Sequence, residues 1–205
     1  MKNHMYLKFC YGAMGCGKTR KLQGDYYSKV EDGFETIVLK PKIDTKGDTQ
    51  TLARDGGTID VTFLIGKNDD IYMMIAKYLI EHNLDFILVD EAQFLETHHV
   101  EELADIVDIL GINVICYGLR TDFKGELFEG SKRLFEMADY LEAIVRQCSC
   151  GNDKIYNMRL ENGIPVFEGE QVAIDGIDAT YESVCRKCYK DAKKKILVRN
   201  NGYKK

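Results

Sequence analysis

Apolar runs of strand length alternate with stretches of helical periodicity from the N-terminus to about residue 140. Tyr6-Leu7-Lys8-Phe9-Cys10-Tyr11 predicts a strand that stops at a glycine-rich turn, and Lys18 to about Val30 can form a helix. Thr36-Ile37-Val38-Leu39 reads as a second strand, closed by Lys40-Pro41 because proline lacks the amide a sheet interior needs. Residues from Ile43 to Gly57 are polar and glycine-containing and read as a loop, and Ile59 to Leu64 as a short strand. Asp69-Asp70 then places acidic groups at the start of a helix running to about Asn83, with Ile71, Met74, Ile75, Tyr78 and Leu79 on one face. Phe86-Ile87-Leu88-Val89 and Val114-Ile115-Cys116-Tyr117 are apolar throughout, the pattern of parallel-sheet strands covered on both faces. Thr97 to about Leu110 and Ser131 to Ala138 carry helical spacing.

Strands alternating with helices imply right-handed βαβ units and a parallel sheet flanked by helices. Past Tyr140 the pattern changes to cysteines and short polar turns such as Glu161-Asn162-Gly163. The expected organisation is a nucleotide-binding α/β domain over 1–140, a small metal-binding module over 141–195 and a flexible basic tail over 196–205.

Composition narrows the class. The chain has 205 residues, 45% hydrophobic and 30% charged, with 28 basic against 33 acidic side chains and a net charge of −5. That balance fits a soluble globular protein and disfavours a globally basic nucleic-acid binder. No apolar run approaches membrane-spanning length and the first residues lack a signal-peptide layout, so the expected location is cytoplasmic, with no membrane or nucleic-acid partner. Seven cysteines, an odd count, argue against a disulfide framework. The four histidines, His4, His82, His98 and His99, have no ligand spacing and read as surface or helix-end residues.

Gly12-Ala13-Met14-Gly15-Cys16-Gly17-Lys18-Thr19 fits G-x-x-x-x-G-K-[ST] at every fixed position, between a predicted strand and a predicted helix. Glycines let backbone N–H groups wrap an anionic phosphate, and the helix N-terminus adds its positive dipole end. Lys18 can neutralise β- and γ-phosphates, and the Thr19 hydroxyl is placed for Mg²⁺. These features predict a nucleoside-triphosphate site.

Asp90-Glu91 follows the apolar strand at 86–89, the setting of a Walker B carboxylate. Asp90 can hold Mg²⁺ and Glu91 can accept a proton from the nucleophile. Transfer to water makes an ATPase and transfer to a bound hydroxyl makes a kinase; these motifs alone leave both open. A P-loop ATPase with a zinc ribbon is the competing class, although a nucleic-acid motor should carry a basic track with interleaved aromatics. Met14, Phe94 and Phe123 could wall an aromatic ring in the crevice at the strand ends, or pack as ordinary core.

Five segments together resemble the type II thymidine kinases. They are the phosphate loop, Lys40-Pro41-Lys42-Ile43-Asp44, Asp90-Glu91-Ala92-Gln93-Phe94, Gly118-Leu119-Arg120-Thr121-Asp122-Phe123 and Ser183-Val184-Cys185-Arg186-Lys187-Cys188. The resemblance implies a P-loop, RecA-like α/β fold with a zinc-ribbon-like lasso domain. It also implies transfer of the γ-phosphate of ATP to the 5′-hydroxyl of thymidine or deoxyuridine, with Mg²⁺, in salvage of DNA precursors. By this likeness Glu91 is the base, and Asp90 and Gln93 join Gly12–Thr19 in binding ATP. Met14, Phe94, Leu119, Phe123 and Tyr181 surround the nucleoside, with Arg54 near the phosphates. A lasso loop from about Gly169 to Tyr181 closes over the base. The family likeness further implies a homotetramer inhibited by thymidine triphosphate.

The metal motif departs from the family pattern. Cys185-Arg186-Lys187-Cys188 is a C-x-x-C pair, but its partner is the shorter Cys148-Ser149-Cys150. Four thiolates would suit a closed tetrahedral zinc site. One residue fewer tightens the first turn, which predicts either strain or three thiolates with another donor. The task of such a metal would be to staple a module too small to build its own core.

Overall fold

A strand without a polar face, such as Phe86-Ile87-Leu88-Val89, is stable only where both sides are covered, and its position fixes the rest of the sheet. The structure, a computed structural model, describes residues 4–42, 50–52, 58–171 and 179–202. The chain folds as two units. The first comprises Met1–Tyr11, Gly17–Leu119 and Phe128–Ala143; the second comprises Gly12–Cys16, Arg120–Leu127 and Ile144–Lys205.

The first unit is built on β1 (Leu7–Gly12), β2 (Thr36–Pro41), β3 (Gln50–Leu52), β4 (Thr58–Asp60), β5 (Phe63–Ile65), β6 (Phe86–Val89), β7 (Asn113–Leu119) and β8 (Tyr140–Ala143). Six of these form one sheet in the order β5-β2-β6-β7-β1-β8. The pairings are parallel, with Ile37 beside Ile87, Ile87 beside Val114 and Phe9 beside Leu141. Helices α1 (Lys18–Glu31), α2 (Ile71–Tyr78), α3 (Thr97–Asp105) and α4 (Glu129–Met137) connect the strands. All four β6 residues are buried, as a doubly covered strand requires. The core joins Phe9, Leu39, Ile87, Val89, Val114 and Cys116 of the sheet to Ile71, Ile75, Val100, Leu103 and Leu134 of the helices. This is the parallel α/β architecture that the alternation predicts.

Several local expectations change. Pro41 remains in β2 as its last residue, paired with Ile65, and Lys42 N–H then donates to the Ile65 carbonyl. Within the segment expected to be loop, Gln50–Leu52 pairs antiparallel with β4. The single strand expected over 59–64 is two strands, β4 and β5, in different sheets. Helix α2 stops at Tyr78 rather than near Asn83, because Ile80 is 80% exposed and the next residues have no apolar face to bury. After α3 the chain widens to a π-helical turn at Ile106–Leu110 and ends at Gly111, in the left-handed conformation with φ of 71°. Strand β8 has no periodic signal in four residues, yet it completes the sheet edge. No helix among the described residues is long and apolar enough to cross a membrane.

The second unit carries an antiparallel sheet of β9 (Tyr156–Glu161), β10 (Ile164–Val166) and β11 (Ala179–Val184), in the order β10-β9-β11, followed by α5 (Arg186–Gly202). Helix α5 runs on to Gly202, into the segment 196–205 that the sequence reading sets apart as a basic tail. A small core gathers Cys148, Met158, Val184, Cys185 and Tyr189. Tyr189 stacks on Tyr156 with centroids 4.6 Å apart and meets Phe167 edge-on at 5.2 Å.

Candidate active site

In the first unit, Gly17 precedes α1 with φ of 103°, and no atom lies within 4 Å of where its Cβ would stand. Conformation rather than crowding therefore demands glycine there. Lys18 and Thr19 form the first turn of α1, and Lys21 N–H makes the opening helical bond to the Gly17 carbonyl at 3.0 Å.

Asp90 is 4% exposed and extends the sheet one residue past β6, its N–H donating to the Leu39 carbonyl at 2.9 Å. Burial, and next the charge of Glu91, push its carboxyl well above the usual carboxylate range. Lys40, the Glu91 N–H and Lys18 pull the other way without offsetting them. A buried carboxylate left under-compensated in this manner, in the unit that carries the Thr19 hydroxyl, fits a hard divalent cation with oxygen ligands. Lys40 belongs to a quoted motif, but sequence reading gave it no role; its charge acts on Asp90.

Glu91 adopts φ of 51° and ψ of 36°, left-handed for a residue with a side chain, and caps the short 3₁₀ turn Ala92–Phe94. Such conformations cost on the order of 1 kcal/mol and concentrate at functional sites. Gln93, buried in the same turn, donates from Nε2 to Glu91 Oε2 at 2.6 Å and accepts the Leu119 N–H at 2.8 Å. Phe94 meets Phe128 edge-on, with centroids 5.5 Å apart. Two glycines let neighbours close on this turn. A Cβ at Gly118 would lie 3.0 Å from Gln93 N and Oε1, and one at Gly130 would lie 2.6 Å from the Ala92 carbonyl oxygen.

His99, expected at a surface or helix end, is 2% exposed in the first turn of α3. Its Nδ1 accepts the Glu96 N–H at 3.2 Å while Nε2 donates to the Asp69 carbonyl at 3.1 Å, which fixes the neutral Nε2–H tautomer. Burial, and then His98, hold its pKa below the ordinary histidine value.

In the second unit, a Cβ at Gly12 would lie 2.4 Å from the Ile144 carbonyl oxygen and 2.6 Å from Cys16 Sγ, so the position is closed to any side chain. Gly15 has φ of 66°. The Met14 backbone is held at both ends, its N–H donating to Asn157 Oδ1 at 2.7 Å and its carbonyl accepting Ser183 Oγ–H at 2.5 Å. Asn157, 2% exposed, also donates to the Thr121 carbonyl at 2.8 Å. Asn157 and Ser183 anchor this loop and were not foreseen; within strand alternation nothing marks them.

Phe123 is 1% exposed, with the Arg159 guanidinium 5.1 Å above its ring and its carbonyl accepting the Tyr189 hydroxyl at 2.7 Å. Its ring sits among the second unit's own side chains. Tyr181 lies in β11, opposite Arg159. Arg54, and residues 172–178 of the expected lasso, lie outside the described residues.

The ligand atoms of Cys148, Cys150, Cys185 and Cys188 lie within 4.8 Å of one another. Cys148 and Cys188 sulfurs are 3.9 Å apart, Cys150 and Cys185 3.4 Å. A tetrahedral zinc with bonds of about 2.3 Å needs sulfur–sulfur edges of about 3.8 Å, so the cluster can hold such a metal through four thiolates. The short C-x-C spacing is absorbed by a tight reversal. Cys148 N–H donates to the Asn152 carbonyl at 2.7 Å, Gly151 N–H returns to the Cys148 carbonyl at 2.9 Å, and Gly151 adopts φ of 89°. Backbone N–H groups at Cys150 and then Cys185 draw the Cys148 thiol down to about 6, favouring the thiolate.

Comparison with known proteins agrees with these features. The family described as thymidine kinase matches residues 5–189. A thymidine kinase of Legionella pneumophila (strain Philadelphia 1) is 38% identical over 197 residues, covering 95% of this chain and 94% of that protein. The thymidine kinase of Enterobacteria phage T4 is 39% identical over 191 residues, covering 93% and 98% respectively. That of Pasteurella multocida is 41% identical over 186 residues, covering 90% and 96%. With a phosphate loop opening α1, an acidic pair closing β6 and a four-cysteine cluster, all inside a match of that extent, the chain belongs to the thymidine kinase family.

Proposed function

We propose that this protein is an ATP-dependent thymidine kinase, transferring the γ-phosphate of ATP to the 5′-hydroxyl of thymidine or deoxyuridine in DNA-precursor salvage. The observation that carries the reading is the acidic pair: a buried Asp90 influenced by Lys18, beside a Glu91 held in a left-handed conformation at the end of β6.

In this reading the phosphate loop and Lys18 bind the triphosphate, and Thr19 and Asp90 hold Mg²⁺, which supplies charge neutralisation on the β- and γ-phosphates. Glu91 accepts the proton of the 5′-hydroxyl as its oxygen attacks the γ-phosphorus. The bond from that phosphorus to the β–γ bridging oxygen breaks, and ADP leaves. Met14, Phe94, Leu119, Phe123 and Tyr181 surround the nucleoside by likeness to the family, and a phosphate-side role for Arg54 rests on the same likeness. The four cysteines hold zinc as a staple of the second unit, a role supported by their sulfur spacing. A cytoplasmic homotetramer inhibited by thymidine triphosphate follows from the same likeness.

Incubation with MgATP and each nucleoside, scored by product formation, tests this. Thymidine should be phosphorylated, and Glu91→Gln should lose turnover while keeping nucleoside affinity. Nucleic-acid-stimulated ATP hydrolysis with no thymidine product would overturn the assignment.

A further inference from the structure

Gln93 falls among residues the family likeness assigns to ATP, yet its side chain is committed elsewhere. It is 2% exposed, and both ends of its amide are used within the first unit. Leu119 N–H requires an acceptor and the Glu91 carboxylate requires a donor, so the two partners leave one orientation of the amide. The bond to Glu91 is short, at 2.6 Å.

Glu91 needs such a restraint. Its backbone is left-handed and its side chain has several rotatable bonds, so without a fixed partner the carboxylate would sample many positions. Gln93 supplies that partner from two residues away. Gln93 is itself fixed by the end of β7, which comes close because Gly118 has no Cβ to strike the Gln93 amide nitrogen and Oε1. A chain of two hydrogen bonds thus runs from the sheet backbone at Leu119 to the reactive carboxylate.

We propose that Gln93 is a positioning residue that aims the Glu91 carboxylate at the nucleoside 5′-hydroxyl, with the Leu119 N–H as its anchor. This rests on the assignment of Glu91 as the base. Precise placement of a reacting group is worth large rate factors, whereas a side chain touching neither substrate contributes little to affinity.

The test uses the full-length protein and two substitutions. Gln93→Met removes both bonds. Gln93→Glu keeps an acceptor for the Leu119 N–H but sets a second buried carboxyl against Glu91, so a purely structural role predicts less folded protein with kcat per folded molecule unchanged. Positioning predicts that both variants lose about tenfold or more in kcat while KM for ATP and thymidine stays within about twofold. In the Glu91→Gln background, followed by single-turnover phosphate transfer, Gln93→Glu should cost less than about twofold further. Wild-type kcat in Gln93→Glu, a change in KM alone, or the same fold loss in both backgrounds would overturn the proposal. Glu91→Gln is read separately: wild-type turnover there removes the base assignment and with it the need to position Glu91.

Discussion

Gly130 offers a sharp test of how the turn bearing Glu91 is held. It is the second residue of α4, and a Cβ there would stand 2.6 Å from the Ala92 carbonyl oxygen, 2.7 Å from that of Leu95 and 3.1 Å from the Leu95 nitrogen. All three atoms are backbone, so no side chain can swing aside. Alanine must push α4 and the 3₁₀ turn apart by roughly 0.4 Å or more, in a close-packed region. Overpacking of this kind costs about 1–3 kcal/mol. Against it stands the better helix propensity of alanine, worth at most about 1 kcal/mol. The net expectation is a loss of about 1–2 kcal/mol, or a fall in Tm of very roughly 2–8 °C for a chain of this length. Displacing the turn should also move Glu91, lowering kcat by about tenfold. Gly24→Ala is the control, because Gly24 is exposed within α1 and a Cβ there meets nothing within 4 Å. That variant should gain up to about 1 kcal/mol and keep its kcat. Thermal melts and steady-state kinetics on both variants decide the matter. If Gly130→Ala raised Tm as Gly24→Ala does, with kcat unchanged, the close approach of α4 to the turn would be wrong.

Two further outcomes follow from the second unit and from α3. Elemental analysis should find about one zinc per chain, and its removal by chelator, or Cys148→Ser, should expose the segment 146–188 to proteolysis and abolish phosphorylation; metal-free protein with unchanged protection would refute the staple. His99 has a folded-state pKa below its unfolded value, so the unfolded chain binds the extra proton more readily and stability falls as pH drops below about 6.5. Tm measured from pH 7.5 down to 5 should decline for this reason, and His99→Gln should flatten that slope; equal slopes would refute it.

Much of the sheet is legible in sequence because β6 and β7 are apolar on every face and the helices carry clean periodicity. β8 is not, since an edge strand buries little and Tyr140 and Leu141 are about half exposed. The chemistry shows the same division. The phosphate loop and acidic pair are recognisable in sequence because residue type and spacing define them. The anchoring roles of Asn157 and Ser183 come from partners far along the chain, and so does the burial of His99 against the Asp69 carbonyl, which spacing does not register. The C-x-C pair misleads for a related reason: sulfur positions are set by the reversal at Gly151 and Asn152, which residue counting does not register.

The left-handed backbone at Glu91 has a consequence for how this sequence can drift. Glycine, or to a lesser extent asparagine or aspartate, is easier to accommodate at φ of 51° than a long side chain. Selection for stability alone would therefore erode the acid at that position and relax the turn. Under the proposed role of Glu91 as base, keeping glutamate there is a burden borne for turnover, and a lineage that no longer needed the reaction should lose it early, before the surrounding fold decays.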